Sequence, residues 1–299
     1  MNNRFPVIAA AILLCLMPAD GTAQTGQKTA GENLRFSVQS QLVAIHLAVT
    51  KGKELIPHLK ASDFRVTEDG QPVPIDQIHD QEVPLQIALL VDTSESIRDS
   101  VQSVKEAAAE FVKGMHRDDR VMLVLFSSEI HTYAQSTDDR EEVLSKIRDI
   151  RPGGMTRLYD AILTGIKYLD GKPGRKALVC FTDGQDTSNT SSGTAVFRAV
   201  ARSGHPFYAV GAGAGLELES LQILLGQFAE LNGGRAFFIQ NFRKLRDALL
   251  RVGAELRSAY VIDYYTRVPA DGRWHEIGIQ TSNPDYAVRA RKGFYAKEN

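Results

Sequence analysis

The chain has 299 residues, a length that suits one large domain or two small ones. Hydrophobic residues make up 43% of it and charged residues 24%, which is the composition of a globular protein with ample material for a core. The 35 basic and 36 acidic residues give a formal net charge of −1, which argues against a general nucleic-acid binder or a polybasic membrane-surface protein. With only two cysteines, the chain is not a disulfide-rich scaffold.

The first 23 residues have the pattern of a secretory signal peptide. Arg4 supplies a positive charge, and residues 7–17 form an apolar run shorter than the roughly 20 residues that cross a bilayer. Small residues precede the predicted cleavage site near Ala23. We therefore expect a secreted, periplasmic or cell-envelope protein with a flexible mature N-terminus over residues 24–32 and no stable membrane span. An uncleaved N-terminal anchor is the alternative.

Two β-rich segments lie at the ends of the mature chain. Residues 33–83 contain an alternating apolar and polar stretch and the turn dipeptide Asp69-Gly70, a strong hairpin signal. Residues 259–299 contain three further strand-like stretches, the last of them over residues 286–295. The economical arrangement is one small β domain that both segments build together. Two separate β appendages are the alternative.

Between these segments, residues 84–258 alternate apolar strands with amphipathic helices. Continuous apolar runs such as residues 86–91, 120–126 and 176–181 are typical of strands that are covered on both faces. This alternation predicts an α/β fold with a Rossmann-like, doubly wound and mostly parallel sheet between two layers of helices. Residues 130–134 are predicted to add a short antiparallel strand.

Polar side chains follow the predicted strands where ligands bind in such sheets, at the carboxyl ends. Asp92, Ser94 and Ser96 follow the first of these strands, Thr156 precedes a helix, and Asp183 follows a later strand. The set offers only hard oxygen ligands, the kind that Mg²⁺ prefers, and two carboxylates balance the charge of a divalent ion. The sequence therefore predicts a Mg²⁺ site, with Mn²⁺ or Ca²⁺ as other possible ions.

This pattern, Asp-x-Ser-x-Ser followed by a threonine and an aspartate on two further loops, resembles the metal-ion-dependent adhesion site (MIDAS) of the von Willebrand factor A (VWA) domain family. The resemblance covers residues 84–256, and the flanking segments resemble a group of secreted bacterial A-domain proteins. It implies that the serines contact the ion directly, that Asp92 is commonly reached through water, and that a partner's Asp or Glu completes the coordination. Glu95 departs from the glycine frequent in bacterial members and adds negative charge near the rim.

The favoured function is accordingly protein–protein interaction or adhesion through a partner carboxylate. No nucleotide site is expected, because the glycine run that begins at Gly211 has Leu216 where a dinucleotide-binding motif needs glycine. The protein is predicted not to be an enzyme, since no His, Lys or Cys near the metal motif offers a general base. The alternatives are a structural envelope protein whose ion only rigidifies loops, and a Mg²⁺-dependent hydrolase or its subunit.

Overall fold

The structure is a computed structural model that describes residues 41–79, 83–134, 140–184, 187–188, 190–213 and 215–298. The predicted signal peptide and the predicted flexible N-terminus lie outside these residues. Within the described ranges, no helix is both long and apolar enough to cross a membrane.

A six-stranded sheet forms the centre of the molecule, in the order β11-β10-β9-β6-β7-β8. Five of its strands are parallel, and β8 pairs antiparallel with β7 at one edge. This arrangement confirms the predicted mostly parallel sheet, including its short antiparallel strand. The strands are β6 (Leu85–Asp92), β7 (Arg120–Phe126), β8 (Ile130–Ala134), β9 (Arg175–Thr182), β10 (Phe207–Ala212) and β11 (Ala236–Ile239).

Helices cover both faces of this sheet. On one face α1, α2 and α6 bury their apolar sides, and on the other face α3, α4 and α5 do so. The apolar runs of the strands are thereby hidden from water on both sides, which explains why these strands lack polar alternation. The helices are α1 (Val101–Lys113), α2 (Glu141–Arg148), α3 (Leu158–Leu169), α4 (Gly193–Ser203), α5 (Gly215–Leu231) and α6 (Leu245–Ser258).

Both terminal segments contribute to two further antiparallel sheets. One has the order β14-β1-β12-β5 with β2 beside β1, and the other has the order β15-β13-β3-β4. The two sheets share one apolar core, as the prediction of a joint β domain requires. The strands are β1 (Leu42–Lys51), β2 (Glu54–Leu55), β3 (Phe64–Glu68), β4 (Gln71–Val73), β5 (Gln77–His79), β12 (Tyr260–Tyr265), β13 (Trp274–Thr281), β14 (Ala287–Ala290) and β15 (Gly293–Tyr295).

The predicted hairpin turn is present between β3 and β4. Asp69 and Gly70 both have positive φ angles, of 49° and 77°, as the tight two-residue turn requires. The last predicted strand, over residues 286–295, is instead divided into β14 and β15, which belong to different sheets. The division occurs where the main-chain amide of Lys292 donates to the carbonyl of Leu231 at the end of α5.

Candidate metal site

Three loops meet at the carboxyl edge of the central sheet. Strands β6 and β9 are parallel neighbours, with Val91 opposite Phe181, so the residues that follow them emerge side by side. The loop before α3 joins them, because the amide of Glu95 donates to the carbonyl of Gly154 over 3.0 Å. The predicted convergence of the loops after β6 and β9 follows from the order of the parallel strands, whereas the loop before α3 follows a helix.

Asp92 ends β6 and is fully buried beneath the loops. Its Oδ1 accepts a hydrogen bond from the amide of Ser94 at 2.9 Å, and its Oδ2 accepts one from the hydroxyl of Thr182 at 2.6 Å. Burial raises the pKa of Asp92 to about 6, and the negative charge of Asp183 adds to this rise, although the hydrogen bonds oppose it. A carboxylate in this position gains from a nearby positive charge.

Hydroxyl groups connect the loop after β6 with the loop after β9. Ser94 Oγ and Ser96 Oγ are 2.9 Å apart, and Ser96 Oγ donates to Asp183 Oδ1 at 2.7 Å. These hydrogen bonds link both serine hydroxyls to the carboxylate of Asp183. Together with the bond from the amide of Ser94 to Asp92, four of the five predicted site residues are therefore joined in one series of hydrogen bonds.

Thr156, in the loop before α3, is held close to these residues by the loop after β9. It is only 5% exposed, and its carbonyl accepts hydrogen bonds from the amides of Thr187 and Ser188. A Cβ atom added to Gly184 would lie 3.8 Å from Thr156 Oγ1. Residues of all three loops line a cleft of about 490 Å³ at this edge, which includes Ser94, Ser96, Thr156 and Asp183.

Two further residues support the site and were not predicted from the sequence. Thr182 holds the carboxylate of Asp92, as described above, and the only sequence signal is its place at the last position of β9. Thr187 holds the loop before α3, because its Oγ1 accepts a hydrogen bond from the amide of Thr156 at 3.0 Å. No spacing rule points to Thr187.

Asp160, in the first turn of α3, is a further carboxylate, and it holds the loop after β9 in place. It accepts hydrogen bonds from Arg157, from Thr190 and from Ser191, the last at 2.6 Å. Burial alone would raise the pKa of Asp160, but these hydrogen bonds outweigh it and lower the pKa to about 2. Asp160 therefore stays ionised and ties the loop after β9 to the start of α3.

Glu95, the departure from the family pattern, lies at the rim of the cleft. Its carboxylate receives two hydrogen bonds from Arg98, at 2.5 and 2.6 Å, and both side chains are 58% exposed. The guanidinium lowers the pKa of Glu95 and balances its charge. The negative charge that the sequence places beside the site is thus paired.

The residues present fit a divalent cation. The donors are two carboxylates and three hydroxyls, which is hard-oxygen chemistry suited to Mg²⁺. Among the described residues there is no cluster of three or more His, Cys, Asp or Glu that could hold a metal, so a site at this edge would depend on hydroxyl groups beside its two carboxylates. Ligation by Asp92, Ser94, Ser96, Thr156 and Asp183 stays a prediction.

The chain is similar in sequence to part of two longer animal proteins. It is 28% identical over 159 residues to inter-alpha-trypsin inhibitor heavy chain H3 of Rattus norvegicus, a match that covers 48% of this chain and 18% of the relative. The Bos taurus protein of the same name is 28% identical over 94 residues, covering 29% of this chain and 10% of the relative. The matched region is thus less than a fifth of either relative's length.

Two solved structures share the fold. Proximal thread matrix protein 1 from the mussel byssus, with a zinc-occupied MIDAS motif, has a TM-score of 0.53 at 19% identity and covers 64% of this chain and 50% of its own. A point mutant of the PilB minor pilin from Streptococcus sanguinis has a TM-score of 0.50 at 13% identity, covering 62% and 63%. The von Willebrand factor type A domain profile matches residues 86–250. The chain therefore belongs to the von Willebrand factor type A domain family.

Proposed function

We propose that this protein binds a divalent cation at the carboxyl edge of its central sheet and uses it to bind an acidic group of a partner protein. The observation that carries the proposal is the contact chain from Ser94 through Ser96 to Asp183, in one cleft with Thr156 and above the buried Asp92. Those five residues would hold the ion. The ion would supply a positive, Lewis-acidic centre for a partner's carboxylate.

The rim of the cleft supports binding of a protein rather than of a small ion alone. Met155 lines the cleft and is 52% exposed, which is high for a large apolar side chain. Its amide is fixed by a hydrogen bond to Ser128 Oγ at 2.8 Å. An apolar contact beside a charged anchor is typical of protein interfaces. The partner we propose offers an Asp or Glu next to an apolar side chain.

We propose a non-catalytic role in a secreted or cell-envelope bacterial protein. The pattern of the first 23 residues supports secretion. Among the described residues that line the cleft there is no His, Lys or Cys, and its two carboxylates are engaged, Glu95 with Arg98 and Asp183 with Ser96 and the proposed ion, which argues against general-base catalysis. We expect no Mg²⁺-dependent hydrolysis of esters or phosphate esters by the purified protein.

Calorimetry tests the metal site directly. Titration of the metal-free protein with Mg²⁺ and with Mn²⁺ is expected to give saturable binding, which Asp183→Ala and Asp92→Ala abolish. Asp99→Ala removes one exposed carboxylate of the neighbouring segment and serves as the charge-matched control, with binding retained. Equal binding by wild type and Asp183→Ala would contradict the proposed site.

Partner capture from cell-envelope extract tests the use of the ion. Capture by the wild type in Mg²⁺ is expected to disappear in EDTA and in Asp183→Ala, while Asp99→Ala behaves as wild type. If the wild type binds Mg²⁺ but captures the same proteins in EDTA, the ion has only a structural role, which is the second candidate function.

A further inference from the structure

A second cleft, of about 240 Å³, lies at the other end of β9 from the candidate metal site. Lys176 at the start of β9 lines it, whereas Asp183 follows the end of that strand, roughly 20 Å away at about 3.3 Å per residue. Four other basic or imidazole side chains line the same cleft. We call it the basic cleft and define it by these five residues: His46, Lys176, Arg202, His205 and Arg291.

Arg291 is the buried centre of the basic cleft. The residue is 8% exposed, its Nε donates to the carbonyl of Gly293 at 2.8 Å, and its Nη1 donates to the carbonyl of Ala44 at 3.3 Å. Within the described residues it forms no ion pair, and its Nη2 has no hydrogen-bond acceptor. Burying a guanidinium without a carboxylate is costly, because its charge is then stabilised only by carbonyl dipoles.

Glycine at position 204 leaves room for this guanidinium. A Cβ atom at Gly204 would lie 2.6 Å from Nη1 of Arg291, and the residue has a φ angle of 66°, which glycine adopts without strain. The aromatic ring of Phe294 lies 5.9 Å from the guanidinium carbon. The side chain is thus held in place on several sides while Nη2 stays available to a ligand.

The lining of the basic cleft carries the positive charges of Lys176, Arg202 and Arg291. No Asp or Glu is among its described lining residues. Two carboxylates lie next to it: Asp170 is 3.2 Å from Nε2 of His205, and Glu298 is 3.6 Å from Arg202. Burial lowers the pKa of His46 well below its ordinary value, and the nearby positive charges of Arg175, Lys176 and Arg291 lower it further.

We propose that the basic cleft binds a tetrahedral oxyanion of the phosphate class, either as the free ion or as the phosphate group of an ester. A guanidinium offers its planar N–H groups to such oxygens, and an ammonium group and imidazoles approach them from other directions. A single water needs only about 15 Å³ of such space, so the cleft has room for a hydrated oxyanion. Side chains that are exposed, such as Arg202, mark its open side.

Calorimetry with inorganic phosphate tests this proposal, with EDTA present so that no metal at the other edge of the sheet contributes. The wild type is expected to bind phosphate with one site per chain. Lys176→Met is expected to weaken binding about tenfold, as the loss of one charge-assisted contact does. Lys113→Met removes the same charge from the end of α1 on the surface and is the matched control, with affinity unchanged.

Two further measurements locate and identify the ligand. In nuclear magnetic resonance spectra, phosphate is expected to shift the ring signals of His46 and His205 in the wild type at concentrations where Lys176→Met shows no shift. Phenyl phosphate distinguishes the free ion from an ester as the ligand. An affinity equal to that of inorganic phosphate assigns the cleft to the free ion, and tighter binding of phenyl phosphate assigns it to an ester.

The proposal is overturned if the wild type binds no phosphate at millimolar concentration, or if Lys113→Met weakens binding as much as Lys176→Met. The first result would leave Arg291 as a structural cation beside the C-terminal end of α4, and the second would show non-specific charge attraction. Neither Lys176→Met nor Lys113→Met alters the buried guanidinium of Arg291, so both variants are expected to fold.

Discussion

Asp183 is partly exposed at the tip of its loop, whereas Asp92 is buried below it. We expect Asp183→Ala to change the metal-free free energy of unfolding by no more than about 0.5 kcal/mol, because it removes one surface group and relieves repulsion with Asp92. Mg²⁺ at 100 times its dissociation constant should stabilise the wild type by about 2.7 kcal/mol and leave the variant unchanged. Thermal unfolding with and without Mg²⁺ measures both effects. A variant that Mg²⁺ stabilises as much as the wild type would argue against Asp183 as a ligand.

Asp160 predicts a pH dependence in the acid range. Its pKa of about 2 in the folded state lies below the ordinary value of 3.8. The stabilisation it gives is therefore complete above about pH 4 and is lost as the pH falls towards 2. We expect Asp160→Asn to lower the free energy of unfolding by about 2 kcal/mol at pH 7 and by about half as much at pH 3.

Urea unfolding at the two pH values measures the effect of Asp160→Asn. Asp99→Asn, which removes an exposed carboxylate, is the control and should change stability by less than about 0.5 kcal/mol at both. An equal loss at pH 7 and pH 3 would show that Asp160 acts through shape and not through its charge.

At the scale of elements, two helical glycines differ in what surrounds them. A Cβ atom at Gly165 in α3 would lie 3.1 Å from methyl groups of Leu178 and Leu90 on the central sheet, whereas one at Gly226 in α5 would meet nothing within 4 Å. We expect Gly226→Ala to raise the free energy of unfolding by about 0.5–1 kcal/mol through helix propensity. Gly165→Ala should lower the free energy of unfolding by about 1 kcal/mol, because the cost of crowding against the sheet exceeds the gain in helix propensity.

Denaturant unfolding of both glycine variants compares the two positions directly, since each carries the same chemical change in a helix. Equal stabilisation by both substitutions would mean that α3 shifts away from the sheet at little cost. The loop before α3 carries Thr156, so such a shift would also be expected to weaken Mg²⁺ binding.

At the scale of the whole molecule, Glu255 of α6 connects the α/β unit with the terminal sheets. Its side chain is 5% exposed and pairs with Arg235 at 2.7 Å and with Arg289 of β14. We expect Glu255→Gln to lower the free energy of unfolding by about 1–3 kcal/mol, less than for a fully buried pair because both arginines reach solvent. Thermal unfolding measures this loss.

The exposed pair of Lys51 and Asp285, 3.4 Å apart, is the control for Glu255. Asp285→Asn should change stability by less than about 0.5 kcal/mol, because surface pairs contribute little. If the two substitutions cost the same, the buried pair does not hold the terminal sheets to the α/β unit.

The doubly wound sheet and the loops that carry the candidate site can be predicted from the sequence alone. Apolar runs long enough for a strand but without polar alternation require cover on both faces, so residues 86–91 and 176–181 could be assigned to a central parallel sheet. Parallel order then places the residues after these strands, such as Asp92 and Asp183, at one edge. That step needs no knowledge of side-chain packing.

The pairing of strands in the terminal sheets, by contrast, cannot be predicted from the sequence. Strand β1 pairs with β12, with Leu47 opposite Tyr260, more than 200 residues later in the chain. An alternating pattern shows that one face is buried but does not specify the partner, because pairing depends on cross-strand packing. For the same reason, the division of residues 286–295 into β14 and β15 could not be read from their composition.

The contacts that give single residues their character were also decided by the tertiary structure. Thr182 meets Asp92 across 90 positions of sequence, and the burial of that carboxylate raises its pKa. Arg291 lies within the stretch predicted as the last strand, yet it is buried and donates to the carbonyl of Ala44, which lies 247 positions earlier. Local sequence patterns report which face of an element avoids water, whereas the polar groups that meet in the interior depend on how distant elements pack.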